Sequence, residues 1–139
     1  MGILQWSSLS AFQTDIPGEL RTATLYAIGG LGHKDKLNDD IKPFIGKQLV
    51  DHLNGSDHIR EHSVTLEAIG NYGGSDVLEN IEPYFTHPEE HIRSAAYDSL
   101  RRMDDPKAVE LLERSFKNER SFEVKKAALQ TLASMPATN

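Results

Sequence analysis

Residues 92–103 read IRSAAYDSLRRM, with apolar or small side chains at the spacing 0, +3, +4, +7, +8 and +11. This spacing places those side chains on one face of an α-helix, because an α-helix turns once in about 3.6 residues. Residues 124–135, VKKAALQTLASM, repeat the pattern at all six positions after a shift of 32. We therefore interpret the stretch as one copy of a repeated amphipathic helix.

Further copies of the same helix and a second kind of segment complete the repeat. The pattern recurs at 20–31 and 61–72, and residues 41–45, IKPFI, return as residues 81–85, IEPYF. A third segment of this kind, at 108–116, again has an apolar stripe at helical spacing. Each unit is thus a helix, a short turn and a second helix. The sequence predicts an all-α fold, an α-solenoid of helix pairs with about seven main helices.

Residues that favour helix ends lie between these segments. The predicted N-caps are Asp105, which Pro106 follows, Ser121 and Ser75. Thr86 with Glu89 is predicted to form a capping box. The first helices of the units are predicted to end at glycines. These are Gly29, Gly30, Gly32, Gly70, Gly73 and Gly74.

The repeated segments resemble a known family. Ile92 to Ala96 and Val124 to Ala128 resemble the V-R-x-A-A opening of HEAT-like repeats of the PBS-lyase type, and Asp105 to Val109 resembles the D-P-x-A-V start of their second helix. The resemblance implies a right-handed solenoid of three and a half helix pairs, with first helices on the convex side and second helices on the concave side. We expect residues 17–139 to form this domain and residues 1–16 to cover one end of it.

A closer likeness within that superfamily is to the helical domain of large lipid transfer proteins, the vitellogenin group. The stretches that carry it are 66–71, 95–102 and 123–128, together with Asn118. The likeness implies architecture first, and the chain lacks the β-sheet regions that enclose lipid in those proteins. A helical domain of such a protein is therefore an alternative to a free-standing scaffold, and lipid is a partner only under that alternative.

Composition excludes several classes of protein. The chain has 139 residues, 38% of them apolar and 26% charged, with no cysteine and a net charge of −6. This balance argues against nucleic acid as the partner, and the lack of cysteine excludes disulfides and cysteine-ligated metals. No apolar stretch reaches the roughly 20 residues of a transmembrane helix. No signal peptide is visible near the N-terminus, so a complete chain would be cytoplasmic, but the compartment stays open.

Two histidine motifs are candidate metal sites. Residues 58–62 and 87–91 both read H-x-x-E-H, in which two histidines on a helix could hold a metal ion with glutamate as general base. Pro88 directly follows His87 and places that histidine at a helix start, and no third ligand with a recognisable context follows. We therefore predict no metal at His58, His62, His87 or His91.

No catalytic constellation is apparent elsewhere. The sequence contains no G-x-S-x-G, no G-x-G-x-x-G after a strand and no phosphate-binding loop. Its carboxylate pairs lie at predicted helix N-termini, where the helix dipole favours them. We predict that the protein is not an enzyme and has no cofactor.

Charge distribution suggests a binding surface. Residues 51–100 hold ten acidic and two basic residues, a net charge of −8, whereas residues 101–126 carry +2. An acidic band on a concave surface would favour a basic protein partner. We predict a protein-binding site along the second helices. Its residues are Glu79 and Glu82 on one helix and Glu110, Arg114 and Lys117 on the next.

The lipid-protein alternative makes a different prediction. A helical domain that packs on lipid-bearing sheets should expose a large apolar patch. We expect that patch around Phe44, Tyr84, Phe85 and Phe116.

Overall fold

A computed structural model describes residue 27 and residues 41–55 and 59–136, and this part of the chain is helical without a β-strand. Its six α-helices are α1 (Ile41–Gly55), α2 (Ile59–Tyr72), α3 (Leu78–Ile81), α4 (Glu90–Asp98), α5 (Pro106–Phe116) and α6 (Phe122–Ser134). The all-α prediction is confirmed for these residues. The count of six is below the predicted total of about seven, which included a helix at 20–31. Apart from Ala27, that helix lies outside the described residues, as does segment 1–16.

The three repeated helices, α2, α4 and α6, pack side by side. α4 contacts both α2 and α6, while α1 contacts α2 and α5 contacts α6. Most of the inward positions read from the sequence are buried: in the copy that starts at Ile92, all six side chains are at most 7% exposed. These residues are Ile92, Ala95, Ala96, Ser99, Leu100 and Met103. The helix is shorter than predicted, because α4 ends at Asp98 and the last three of these residues lie in the segment after it. Removing such apolar surface from water is the main force that holds the helices together.

The second element of the middle unit departs from the prediction of one helix. It consists of a 3₁₀ turn at Ser75–Val77, the short helix α3, and a second 3₁₀ helix at Glu82–Thr86. Pro83 lies within the second 3₁₀ helix. Proline has no N–H and its ring clashes with the carbonyl four residues earlier, so α3 cannot continue through it. Glu79 and Glu82 therefore lie on two successive elements and not on one helix.

Predicted caps at α5 and α6 are confirmed. The Asp105 carboxylate accepts a hydrogen bond from the Lys107 N–H at 2.9 Å, and the Ser121 hydroxyl accepts one from the Val124 N–H at 3.4 Å. Gly73, directly after α2, has φ 74°, a conformation that glycine adopts without steric cost. Gly70, by contrast, lies inside α2, which ends at Tyr72. Ser75 is not an N-cap, because it is the first residue of its 3₁₀ helix and Gly74, the N-cap residue, makes no side-chain capping bond.

The predicted capping box before α4 is wrong. The Thr86 hydroxyl donates to the Pro83 carbonyl oxygen at 3.2 Å, so it points back into its own 3₁₀ helix. α4 begins at Glu90 with Glu89 as its N-cap residue, and the Glu89 side chain makes no capping bond. The Glu89 N–H instead donates to Nδ1 of His87 at 3.0 Å. A histidine side chain thus satisfies one of the N–H groups at this helix start.

None of the described helices is both long and apolar enough to cross a membrane.

Candidate functional site

A cleft of about 850 Å³ lies between the 3₁₀ helix at Glu82–Thr86 and α5. Its lining combines acidic, basic and apolar side chains from α3 to the turn before α6, so the cleft joins two successive units. We refer to it as the interhelical cleft. Its lining residues are Glu79, Glu82, Pro83, Phe85, Thr86, Arg93, Leu111, Arg114, Ser115, Asn118, Glu119 and Arg120.

Three of the five residues predicted for partner binding line this cleft. Glu79 and Glu82 come from one wall and Arg114 from the other, and Arg114 Nη2 lies 3.4 Å from Glu82 Oε1. Both members of that ion pair are more than half exposed, so solvent screens it. Glu110 and Lys117 are exposed but do not line the cleft. The structure therefore brings together three of the predicted residues and leaves two outside.

An ion pair between Arg93 of α4 and Glu119, in the turn before α6, forms part of the cleft lining. Arg93 donates from Nε to Glu119 Oε1 at 3.0 Å and from Nη2 to Glu119 Oε2 at 3.1 Å. The Glu119 side chain is only 2% exposed. Arg93 also donates from Nη1 to the His87 carbonyl oxygen at 2.8 Å. The planar guanidinium holds the carboxylate at two points, a geometry that fixes both side chains.

The environment of Glu119 keeps this carboxylate ionised. Burial alone would raise its pKa, but hydrogen bonds from Arg93 and from the N–H groups of Ser121 and Arg120 outweigh burial and lower the pKa. The same pairing raises the pKa of Arg93. Both carboxylate oxygens already accept these hydrogen bonds. Glu119 is therefore a structural anion, poorly suited to proton transfer.

Two aromatic rings pack together in the core beside the cleft. Phe85 and Tyr97 meet edge to face, with ring centroids 4.8 Å apart and planes at 87°. Tyr97 is fully buried, and burial, with the nearby negative charge of Glu119, raises the pKa of its phenol to about 12. The phenol therefore remains neutral at physiological pH.

The prediction of an exposed apolar patch around Phe44, Tyr84, Phe85 and Phe116 is wrong, because most of these side chains are buried or partly buried. Phe85 is 4% exposed because it packs against Tyr97, and Tyr84 and Phe116 are partly buried against the core. Phe44 remains 36% exposed. The lipid-transfer alternative predicted a continuous patch of these four side chains, so it stays a prediction without that support.

Sequence reasoning missed the residues that determine the shape of the cleft. Arg93 belongs to the V-R-x-A-A pattern, but its ion pair with Glu119 spans 26 residues and leaves no mark on local spacing. Leu111, Asn118 and Arg120 reach the cleft because the chain turns between α5 and α6. The local sign of this pair in the sequence is an acidic residue, Glu119, in the turn before a repeated helix.

His87, the first residue of the second H-x-x-E-H motif, lies just before a helix and not on a helical face, as Pro88 predicts. His87 precedes α4 in an extended conformation, and burial together with the nearby His62 lowers its pKa. The His62 ring lies edge to face with both Tyr84 and His87. His58 of the first motif lies outside the described residues. Among the residues that the structure does describe, no cluster of three or more histidine, aspartate or glutamate side chains could hold a metal ion.

Comparison with known families agrees with this architecture. Residues 46–133, more than half of the chain, match the family of HEAT repeats. No curated protein and no solved structure shows a significant match. HEAT repeats are commonly scaffolds for protein interaction and are typically non-enzymatic. With its repeated helices buried along one face and its family match covering most of the described residues, the chain belongs to the HEAT repeat family.

Proposed function

We propose that the protein is a non-enzymatic α-solenoid scaffold whose interhelical cleft binds a segment of a partner protein. The proposal is supported by the side-by-side packing of α2, α4 and α6, which is how solenoid units contact their neighbours. In this arrangement the repeated helices form the convex layer. The second elements, which include both walls of the cleft, form the concave layer.

The single observation that carries the proposal is the construction of the cleft. Part of its lining is the Arg93–Glu119 pair, in which both carboxylate oxygens already accept hydrogen bonds. Exposed charges from Glu79, Glu82 and Arg114 also line the cleft. A site with a fixed interior and exposed charged walls can select a segment by its charges without performing chemistry on it.

The partner segment is proposed to be basic where it meets one wall. Glu79 and Glu82 lie in a stretch, residues 51–100, that carries a net charge of −8. A lysine or arginine of the partner can lie beside these two carboxylates, taking over the exposed contact that Glu82 makes with Arg114. Because the pair with Arg114 is exposed, its exchange costs little.

Selection from a random-peptide phage library on the 139-residue protein tests this proposal. We expect the recovered peptides to be enriched in lysine and arginine, and a synthetic version of the best peptide to bind in fluorescence anisotropy. The double variant Glu79→Lys/Glu82→Lys should weaken that binding by about tenfold or more, since it replaces attraction by repulsion.

A matched control carries the same change of charge outside the cleft. Glu110→Lys/Glu113→Lys alters two exposed residues of α5 that do not line the cleft. We expect this variant to bind the peptide nearly as well as the unmodified protein. Equal weakening by both double variants would show a general charge effect and would contradict a site in the cleft.

A further inference from the structure

The outer face of α6 exposes large apolar side chains next to two lysines. Phe122 is 76% and Leu129 is 54% exposed, the highest values among the large apolar residues in the described part of the chain. They line a shallow groove of about 480 Å³ with Phe116 from α5. Lys125 and Lys126 border the same groove.

The positions equivalent to Leu129 in the two earlier copies of the repeated helix are buried, and the residue at this position in α4, Tyr97, packs edge to face on Phe85. Leu129 occupies the position that Tyr97 has in α4, after the shift of 32, and that Leu66 has in α2, after a further shift of 31. Tyr97 and Leu66 are both 0% exposed, whereas Leu129 is half exposed. α2 packs against α4, and α4 packs against α6. In each earlier copy, therefore, the next repeated helix lies against the helix that carries this position.

Charged residues at this face favour an acidic occupant. Lys125 occupies the position of Arg93, and Arg93 is bound by Glu119 from the turn that precedes the next repeated helix. The group that complements this position in the existing contact is a carboxylate. Lys126 adds a second positive charge at the same groove. An acidic neighbour is therefore favoured.

A second copy of the chain is a poorer occupant for the same reason. If two α6 helices met through these faces, the lysines of one copy would lie close to those of the other. Like charges brought together at an interface oppose association.

We propose that the outer face of α6 is a docking surface for an acidic amphipathic helix of a partner protein. The apolar stripe of that helix covers Phe122 and Leu129, in the manner of a helix in an apolar groove. Its carboxylates meet Lys125 and Lys126. This surface is separate from the interhelical cleft and does not depend on the function proposed for the cleft.

Two designed helical peptides with the same leucine stripe test the proposal, one flanked by glutamates and the other by lysines. We expect the acidic peptide to bind the 139-residue protein at least about tenfold more tightly than the basic one, as measured by fluorescence anisotropy. Leu129→Ser should abolish measurable binding and lower the thermal unfolding midpoint by only a few degrees, because Leu129 is already 54% exposed. Lys125→Glu/Lys126→Glu should reverse the preference between the peptides.

The control Lys42→Glu/Lys47→Glu makes the same charge change on α1 and should leave the preference for the acidic peptide intact. Equal binding of both peptides, or no binding of either, would overturn the proposal. So would two other occupants of the groove: a dimer in sedimentation velocity that Leu129→Ser dissociates, or binding to phosphatidylserine vesicles that the same substitution removes.

Discussion

The guanidinium of Arg93 and the carboxylate of Glu119 form a two-point ion pair that links α4 to the turn preceding α6, across 26 residues of sequence. A third nitrogen of Arg93 donates to the His87 carbonyl oxygen in the turn before α4. One arginine thus connects the turns that lead into two successive repeated helices. Arg93 and Glu119 both line the interhelical cleft, so this ion pair helps to fix the shape of the cleft.

Removing the charge of Glu119 should destabilise the protein substantially. Glu119→Gln leaves the guanidinium of Arg93, which is only 17% exposed, without its anion. Breaking a buried pair in this way typically costs about 3–5 kcal/mol, and we expect about 3 kcal/mol because Arg93 retains some contact with water. Urea unfolding followed by circular dichroism measures the loss.

A matched variant tests whether burial is the reason. Glu82→Gln removes the partner of Arg114 in an exposed ion pair, so the free energy of unfolding should change by no more than about 1 kcal/mol. Similar losses for Glu82→Gln and Glu119→Gln would mean that the buried pair has no special role.

Acid should remove the contribution of Glu119. Its pKa in the folded protein lies below the ordinary value of 4.5, so near that pH the folded state binds fewer protons than the unfolded state. The stabilisation is therefore present above pH 4.5 and is lost as the pH falls through the folded pKa. The difference in urea midpoint between the unmodified protein and Glu119→Gln should shrink in this acidic range. A difference that stays constant down to about pH 3 would contradict this linkage.

The hydroxyl of Tyr97 should be dispensable for stability. It is buried and has no hydrogen-bond partner among the described residues. Leaving such a group unpaired costs about 1–3 kcal/mol, so Tyr97→Phe should leave the free energy of unfolding unchanged or raise it by up to about 1 kcal/mol. Tyr72→Phe is the control. The Tyr72 hydroxyl donates to Asp76 Oδ1 at 2.7 Å, so its removal should lower the free energy of unfolding. A clear loss of stability in Tyr97→Phe would show that its hydroxyl is bonded.

The guanidinium of Arg101 occupies the space that a side chain at Gly70 would need. A Cβ at this position would lie 2.6 Å from Arg101 Cζ, and Arg101 also donates to Asn71 Oδ1 and Asp98 Oδ2. Alanine normally stabilises a helix by about 1 kcal/mol relative to glycine. We expect Gly70→Ala to destabilise the unmodified protein, because Arg101 must move and lose these bonds.

The same substitution should stabilise an Arg101→Ala variant by about 0.5–1 kcal/mol, since the obstructing side chain is then absent. Thermal or urea unfolding of the four proteins in this double-mutant cycle measures the coupling. If Gly70→Ala had the same effect in both backgrounds, contact with Arg101 would not be what excludes a side chain there.

Small residues between the repeated helices should resist enlargement. Ala96 and Ala128 are both 0% exposed, and overpacking such sites costs about 1–3 kcal/mol. α4, which carries Ala96, packs between α2 and α6, whereas α6 has an exposed outer face. Ala96→Leu should therefore lower the urea midpoint more than Ala128→Leu. Equal midpoints would indicate that α6 can relax no more easily than α4.

Local patterns in the sequence predicted the three repeated helices and some of the helix ends. Its spacing of apolar side chains predicted the buried faces of α2, α4 and α6, and Asp105 and Ser121 marked helix starts. These features are local: helical periodicity relates residues three or four apart, and an N-cap bonds two or three residues ahead. Such signals survive in a single sequence because both partners lie within one turn of the helix.

Helix packing determines which charged residues share a site. It places Glu79, Glu82 and Arg114 around one cleft, leaves Glu110 and Lys117 outside, and joins Arg93 to Glu119. Contacts between residues about 30 positions apart depend on how helices pack and how turns are directed. One charge in a sequence does not specify its partner at that distance, because Coulombic attraction is non-specific until packing has fixed the geometry.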